Sequence, residues 1–369
     1  MNFANLFDTI YEKLYCSRRR KEKKRSIKRK EWVERYSKYP LSKEDKAEIE
    51  NFFVENLGRK EDLRWHLLYA SYTGVMDKKY ISAGLYMTEI EPKFNPLRYR
   101  RTLADKNLLP LYTYGIENLR APKTYGACIG GVYRDAFENV VTKEELIDSL
   151  SNIGKSIIKP TVDSDSGRNV NLLCIENGVD IESGKNLSEI VSNAGKNFVI
   201  QERIINHKSI SDLHKNSVNT FRVITYIWGG KVWNAPVTMR LGRGKSFLDN
   251  AHAGGMYVGV SDDGYLYKCG FSESAEELVE HPDSHIKFDG YRIEHIPQIL
   301  ECAKKMHSKI PQLGIISWDM TVDEQGNVIV IEANTKGQSM ALPQMANGRS
   351  LFGDNTEEIL RYLNKKARK

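Results

Sequence analysis

The stretch GIISWDMTVDEQGNVIVIEANTKGQ, residues 314–338, constrains the fold more tightly than any other part of the chain. Two apolar segments, 315–320 and 328–331, flank a short polar turn around Gln325 and Gly326, the signature of a β-hairpin. A turn centred on Gln325–Gly326 sets Asp319 directly opposite Glu332. Directly opposed residues of antiparallel strands share a face, roughly 5 Å apart at Cβ. Asn334, two residues on, projects from that face too. Three oxygen ligands then converge at one sheet edge, beside the flexible TKGQ segment. Two close carboxylates repel in an otherwise apolar sheet, so a hard cation such as Mg²⁺ is their natural compensation. The pattern alone suits equally a hairpin that carries polar residues on its wet face.

At 369 residues and 40% hydrophobic, the chain can hold two domains or one multi-lobed body. No apolar run approaches the ~20 residues of a membrane span. The N-terminus lacks the apolar core and small-residue cleavage site of a signal peptide. Cys16, Cys128, Cys174, Cys269 and Cys302 are scattered and odd in number. They read as reduced thiols of a cytoplasmic protein rather than disulfides or a zinc cluster. The net charge of +7 is local: residues 18–30 hold ten Lys/Arg against Glu22 alone, leaving −2 for the remainder.

Residues 1–30 form a first unit. Phe3, Leu6, Phe7, Ile10 and Leu14 recur at helical spacing, and the basic block follows directly. Such a helix can rest on an anionic membrane surface, dock on the body of its own protein, or leave its charges solvated. Without interleaved aromatics or a reader motif it is not a nucleic-acid element. Residues 31–102 read as a helical N-terminal domain, with Ser42 as an N-cap and Asp45 in the first turn. From about residue 103 strands and helices mix. Segments 156–159, 170–174, 198–201, 221–228 and 231–237 read as strands, and 143–150 and 294–309 as helices. The fold class is α+β with several antiparallel hairpins.

Several of these segments carry charge where an apolar strand does not want it. Lys159 ends the strand SIIK and precedes the loop TVDSDSGRN, which contains Gly167. A small-residue loop of this kind can fold its N–H groups over phosphates, with the lysine as a point charge, or be an ordinary surface hairpin. It lacks P-loop spacing. NFVIQERII, residues 197–205, runs an apolar strand into Gln201, Glu202 and Arg203, a segment able to offer backbone groups to an adenine edge. Arg222 sits inside the strand NTFRVIT and needs an anion or a carboxylate partner. Arg240, Arg243 and Lys245 cluster around Gly242 and Gly244, and Asn250 precedes Gly254 and Gly255. Cations among close-approach glycines suit a polyphosphate or acyl-phosphate site, or structural ion pairing.

In order, ADKNLLP at 104–110, IIKP at 157–160, VIQERI at 199–204, NTFRVIT at 219–225, MRLGRG…LDNAHAGG at 239–255 and WDMTVDEQGNVIVIEANTKGQ at 318–338 resemble the ATP-grasp superfamily. The resemblance is greatest to the sugar-transfer-associated ATP-grasp group, with affinity to glutamate-ligase-like members, and spans roughly residues 103–345. It implies an ATP-grasp fold: a catalytic domain at 103–369 whose two α+β lobes close around ATP, preceded by the helical region. It implies that Lys106 and Lys159 contact the ATP phosphates, that Glu202 and Arg203 sit at the adenine hinge, and that Asn250 lies by the phosphates. Asp319, Glu332 and Asn334 would hold two Mg²⁺ ions. Arg222 and Arg240 would stabilise the transferred phosphoryl group and the intermediate. Many ligase relatives carry an acidic residue two positions before the strand arginine; here that position is Thr220.

The function implied is an ATP-dependent carboxylate–amine ligase that works through an acyl phosphate. Its setting would be bacterial cell-surface polysaccharide synthesis, with an acidic sugar or other carboxylate and an amine as substrates. The alternative is a kinase that phosphorylates a hydroxyl with the same Mg²⁺ and lysine set. The expected location is cytoplasmic, with residues 1–30 in peripheral contact with the inner face of the membrane. Their removal is expected to leave catalysis in solution largely unchanged.

Overall fold

The computed structural model describes residues 3–162, 169–249 and 254–367. The loop at 163–168, with Gly167, and the segment 250–253, with Asn250 and His252, lie outside the described residues.

Four helices lead the chain: α1 (Phe3–Ser26), α2 (Lys30–Tyr36), α3 (Lys43–Leu57) and α4 (Arg64–Thr73). The expected N-cap of α3 is present, with Ser42 Oγ accepting from the Asp45 N–H at 2.9 Å. Short helical turns carry the chain on to β1 (Leu119–Arg120). A smaller sheet follows: β2 (Thr124–Ile129), β3 (Val132–Asp135), β4 (Val140–Val141), β5 (Gly154–Pro160), β6 (Asn171–Glu176), β7 (Val179–Asp180) and β8 (Asn197–Glu202). Its strand order is β4-β3-β2-β8-β5-β6-β7. The larger sheet takes β9 (Thr220–Trp228), β10 (Lys231–Asn234), β11 (Val237–Leu241), β12 (Met256–Val260), β13 (Leu266–Ser272), β14 (Glu277–Leu278), β15 (Ile315–Val322) and β16 (Val328–Asn334). Its order is β1-β16-β15-β9-β11-β12-β13-β14, with β10 added to β9. All pairings are antiparallel except β1 with β16. The two α+β lobes expected from the motifs are these two sheets with their helices.

Strand β15 is buried along its whole length. Ser317, Asp319 and Thr321 alternate with Ile316, Trp318, Met320 and Val322 along it, yet both faces of the strand are covered. On one side lies the main core, where Trp318, Met320 and Val322 pack with Phe221, Val223 and the helix Ile296–Ser308. On the other side Ile315, Ile224 and Tyr226 join Ile49, Phe52, Phe53 and Phe352 in a second cluster. The N-terminal helices therefore supply one wall of the sheet's own core.

The β15–β16 hairpin reaches the expected pairing by an unexpected route. Its loop is three residues long, closed by the Asp323 N–H donating to the Asn327 carbonyl at 2.9 Å. Gly326 takes the left-handed position such a loop requires, at φ 85°. Near the loop the register runs Val322↔Val328 and Met320↔Val330, which is centred on Gln325. Carried on unchanged, it would set Asp319 against Ile331. A β-bulge between Asp319 and Met320 takes up the odd residue and restores Asp319↔Glu332.

Candidate active site

A polar rung crosses four strands of the larger sheet. Asp319 on β15 pairs with Glu332 on β16 and with Arg222 on β9, and Arg222 pairs in turn with Thr238 on β11. Opposed residues share a face, so these side chains project together. The neighbouring rungs add Thr220 with Arg240, and Ser317 with Asn334. All but Ser317 line one cleft between the sheets, a cavity of about 1870 Å³.

Within this face the carboxylates and cations are already matched. Arg222 Nε lies 2.8 Å from Asp319 Oδ1, and Arg240 Nη2 lies 3.0 Å from Asp319 Oδ2. Lys106 Nζ reaches Glu332 Oε1 at 2.8 Å. Arg222 also donates to Ser317 Oγ at 3.2 Å. The structural ion pairing that the sequence left open for Arg222 is thus present, and its partner is the same Asp319 that the motif reading assigns to metal. Burial opposes the charge of Arg240, yet the neighbouring Asp249 and Asp319 outweigh it and hold its pKa above the usual value.

Lys159, on β5 across the cleft, is only 6% exposed. It makes no ion pair or hydrogen bond among the described residues. Burial, followed by the nearby Lys106, pulls its pKa down to about 8. A buried ammonium facing a cleft is a receptor for an anion, because its alternatives are neutralisation or desolvation without compensation.

The two residues expected at the adenine hinge have different surroundings. Glu202 is held by the Lys123 N–H at 2.6 Å and by the Arg120 guanidinium. Arg120 also binds Asp323 Oδ2 at 2.9 Å, so it straps the smaller sheet to the hairpin turn of the larger. Burial works to raise the Asp323 pKa, but hydrogen bonds from Asn327 and Arg120 hold it below the usual range. Arg203 lines the cleft. Asn250 lies outside the described residues.

Three participants join the residues that the resemblance assigned to the site. Asp249, nine-tenths buried, accepts the Thr220 hydroxyl hydrogen and lies 3.5 Å from Arg240 Nε. A carboxylate from another segment thus stands beside position 220, and the only sequence signal was an acid beside the LDNAHAGG glycines. Burial raises the Asp249 pKa, and Arg240 opposes the rise. Gln201 lines the cleft beside Glu202, and its Oε1 is buried with no hydrogen-bond partner among the described residues. Finally, α1 forms a wall of the cleft through Tyr15, Arg18, Lys21 and Arg25.

Among the described residues no group of three or more His, Cys, Asp and Glu is arranged to hold a metal ion. The donor set Asp319, Glu332 and Asn334 is instead two carboxylates and an amide. Hard oxygen donors of this kind suit Mg²⁺, which keeps several waters and takes few protein ligands. The residues fit such an ion, provided Lys106 and the two arginines give up their contacts to the carboxylates.

A model of the sugar-transfer-associated ATP-grasp family matches residues 86–359. A comparison with curated proteins finds no matching sequence. Among solved structures the chain is similar to the D-Ala:D-Ser ligase VanG of Enterococcus faecalis, at 13% identity and TM-score 0.38 over 70% of this chain and 60% of that one. It is similar to an L-amino acid ligase of Bacillus licheniformis, at 12% identity and TM-score 0.39 over 73% of this chain and 48% of that one. It is also similar to the biotin carboxylase domain of Hydrogenobacter thermophilus 2-oxoglutarate carboxylase, at 15% identity and TM-score 0.40 over 70% of this chain and 45% of that one. The chain thus spans about half the length of these structures.

Proposed function

The chain belongs to the sugar-transfer-associated ATP-grasp family, and from that premise we propose that it is an ATP-dependent carboxylate–amine ligase. The observation that carries this reading is the convergence, in one cleft, of two carboxylates and an amide with four buried or part-buried cations: Lys106, Lys159, Arg222 and Arg240.

A carboxylate is a poor electrophile, so its oxygen must first attack the γ-phosphorus of ATP, releasing ADP and leaving an acyl phosphate. An amine then adds to the acyl carbon, loses a proton and expels phosphate. Little of this needs a protein acid or base. It needs alignment and charge neutralisation. Lys159 and Lys106 hold the phosphate chain. Arg222 and Arg240, released from Asp319 with Asp249 still beside Arg240, face the transferred group and the tetrahedral adduct. Gln201 supplies an unused acceptor for the adenine amino group beside Arg203. Asp319, Glu332 and Asn334 would hold Mg²⁺, which supplies further neutralisation of phosphate charge.

The setting that goes with the family description is modification of a sugar-containing precursor of a cell-surface polysaccharide, with an acidic sugar among the candidate carboxylates. No described helix is long and apolar enough to cross a membrane. Phe7, Ile10 and Leu14 of α1 are 69%, 50% and 66% exposed, which supports peripheral contact with an anionic membrane.

The test is ADP release with Mg²⁺ and ATP against uronic acids, amino acids and acidic glycans, with and without hydroxylamine. A hydroxamate formed with one acid, and absent with Asp319→Asn, is the expected result. A stable phosphorylated product without hydroxamate would assign the kinase instead.

A further inference from the structure

One face of helix α1 carries a graded stripe of exposed side chains. Phe7, Tyr11 and Leu14 are followed on the same face by Arg18, Lys21 and Arg25, at intervals of three, four and seven residues. Tyr11, Leu14 and the three cations all line the cleft that holds Asp319 and Glu332. Arg18, Lys21 and Arg25 make no ion pair among the described residues. Their neighbours Arg19 and Lys23 share Glu22, at 2.8 and 3.4 Å.

The helix is fixed in this position. Arg100, 1% exposed, binds both oxygens of Glu12 at 2.6 and 2.8 Å. The Arg100 carbonyl accepts from Thr335 Oγ1, the residue after Asn334, at 2.5 Å. On the cleft side a Cβ at Gly337 would stand 3.0 Å from Arg19 Nη2 and 3.6 Å from Tyr15 Oη, so α1 abuts the loop that follows β16. Part of the basic block, from Arg18 to Arg29, thus borders the cleft that holds the reaction centre.

Among the described residues, fourteen Lys and Arg line the cleft against six Asp and Glu. The cavity also exceeds the ~300–1,000 Å³ that one ligand of ordinary size fills. Resting on the ligase reading, we propose that the stripe Arg18–Lys21–Arg25 binds the phosphates of the second substrate, a diphosphate-bearing molecule whose reactive group reaches Arg222 and Arg240. Seven residues of helix separate the first and last cation, about 10 Å, enough to hold two adjacent phosphates between guanidinium forks. A single carboxylate would not use all three. Two sources share this chemistry: a soluble nucleotide diphosphate, or a diphosphate on a lipid carrier whose chain meets Leu14, Tyr11 and Phe7.

The experiment is calorimetric titration of the full chain, saturated with Mg²⁺ and a non-hydrolysable ATP analogue, with uridine diphosphate and separately with farnesyl diphosphate. At least one is expected to bind the loaded wild-type protein, and tenfold or more weaker to the Arg18→Ser/Lys21→Ser/Arg25→Ser variant, whose affinity for the ATP analogue stays within twofold. Tighter binding of the farnesyl probe, lost in Phe7→Ser/Leu14→Ser, supports the lipid carrier; indifference to that change supports the soluble source. Equal binding of both diphosphates by wild type and triple variant, or none by the loaded wild type, overturns the proposal. Failure of the ATP analogue to bind at all would strike the ligase reading separately.

Discussion

Lys106 Nζ and Glu332 Oε1 lie 2.8 Å apart, although 226 residues separate them in the chain. In this state the lysine is the counterion of a carboxylate assigned to Mg²⁺, so metal and phosphate entry must exchange one partner for another. Glu332→Gln is expected to lower turnover by about 10²–10³-fold, the scale seen when one preorganised charge contact is removed. Far-ultraviolet circular dichroism should not change. Near-wild-type ADP release would remove Glu332 from the metal set.

Asp319 has a second duty that a purely catalytic reading omits. It neutralises both Arg222 and Arg240 in a buried site. Asp319→Asn removes the one carboxylate paired directly with both guanidinium groups and leaves Asp249 beside Arg240. Beyond abolishing turnover, it is expected to cost about 3–5 kcal/mol of stability, measured by urea unfolding. Unaltered stability would show that the two arginines find other partners.

Lys159, with its pKa near 8, is a cation at neutral pH and loses its proton as the pH rises. Affinity for Mg²⁺-free ADP should therefore weaken from pH 7 to 9.5, by about tenfold, as one charge-assisted contact is lost. Bound phosphate favours the ammonium, so the midpoint should lie above 8. In Lys159→Met the affinity should be lower and this pH dependence absent.

Two buried histidines set the acid limit of the fold. His307 sits between Thr225 Oγ1 and the Leu313 carbonyl, 2.7 Å from each, and burial pushes its pKa down to about 4. His66, enclosed by Phe53 and Tyr80, is likewise pushed down to about 4 by burial. The unfolded chain takes up protons near 6.5 and the folded one does not. Stability is thus full above about 6.5 and falls as the pH drops towards 4. The gap corresponds to about 3 kcal/mol per histidine at the acid end. Urea midpoints at pH 7 and 4.5 test this, and His307→Gln should flatten the trend.

Arg120 joins Glu202 of the smaller sheet to Asp323 of the larger. Arg120→Met should raise the KM for ATP several-fold, leave kcat nearly unchanged, and speed hydrogen exchange at residues 120–124 and 202–206. A fall in kcat alone would mean that the strap acts on the chemistry and not on lobe placement.

The sequence showed most where chemistry and register are local. The β15–β16 hairpin and β9 follow from apolar runs and turn residues, and their charged exceptions lead directly to Asp319, Glu332 and Arg222. Contacts made by loops packing over long separations were not legible. Nothing near Thr220 announces that Asp249 will reach it, because a loop sets that approach. Arg120 reads as one more surface cation until Glu202 and Asp323 are brought to it. The periodicity of α1 gave its amphipathic face but not its seat, which is set by long-range contacts such as the Glu12–Arg100 ion pair. Asp319↔Glu332 was legible only because a longer loop and a bulge cancel.

That cancellation makes the hairpin behave like a reading frame. The three-residue loop and the extra residue at the bulge are two shifts of opposite sense, and between them lies a short run, 320–330, that is out of phase with the catalytic end. Losing one residue from 328–331 can be absorbed by straightening the bulge and leaves Asp319 opposite Glu332, whereas losing one from 320–323 doubles the mismatch and slides Asp319 past it. Single deletions should therefore be tolerated on the β16 side of the loop and abolish activity on the β15 side.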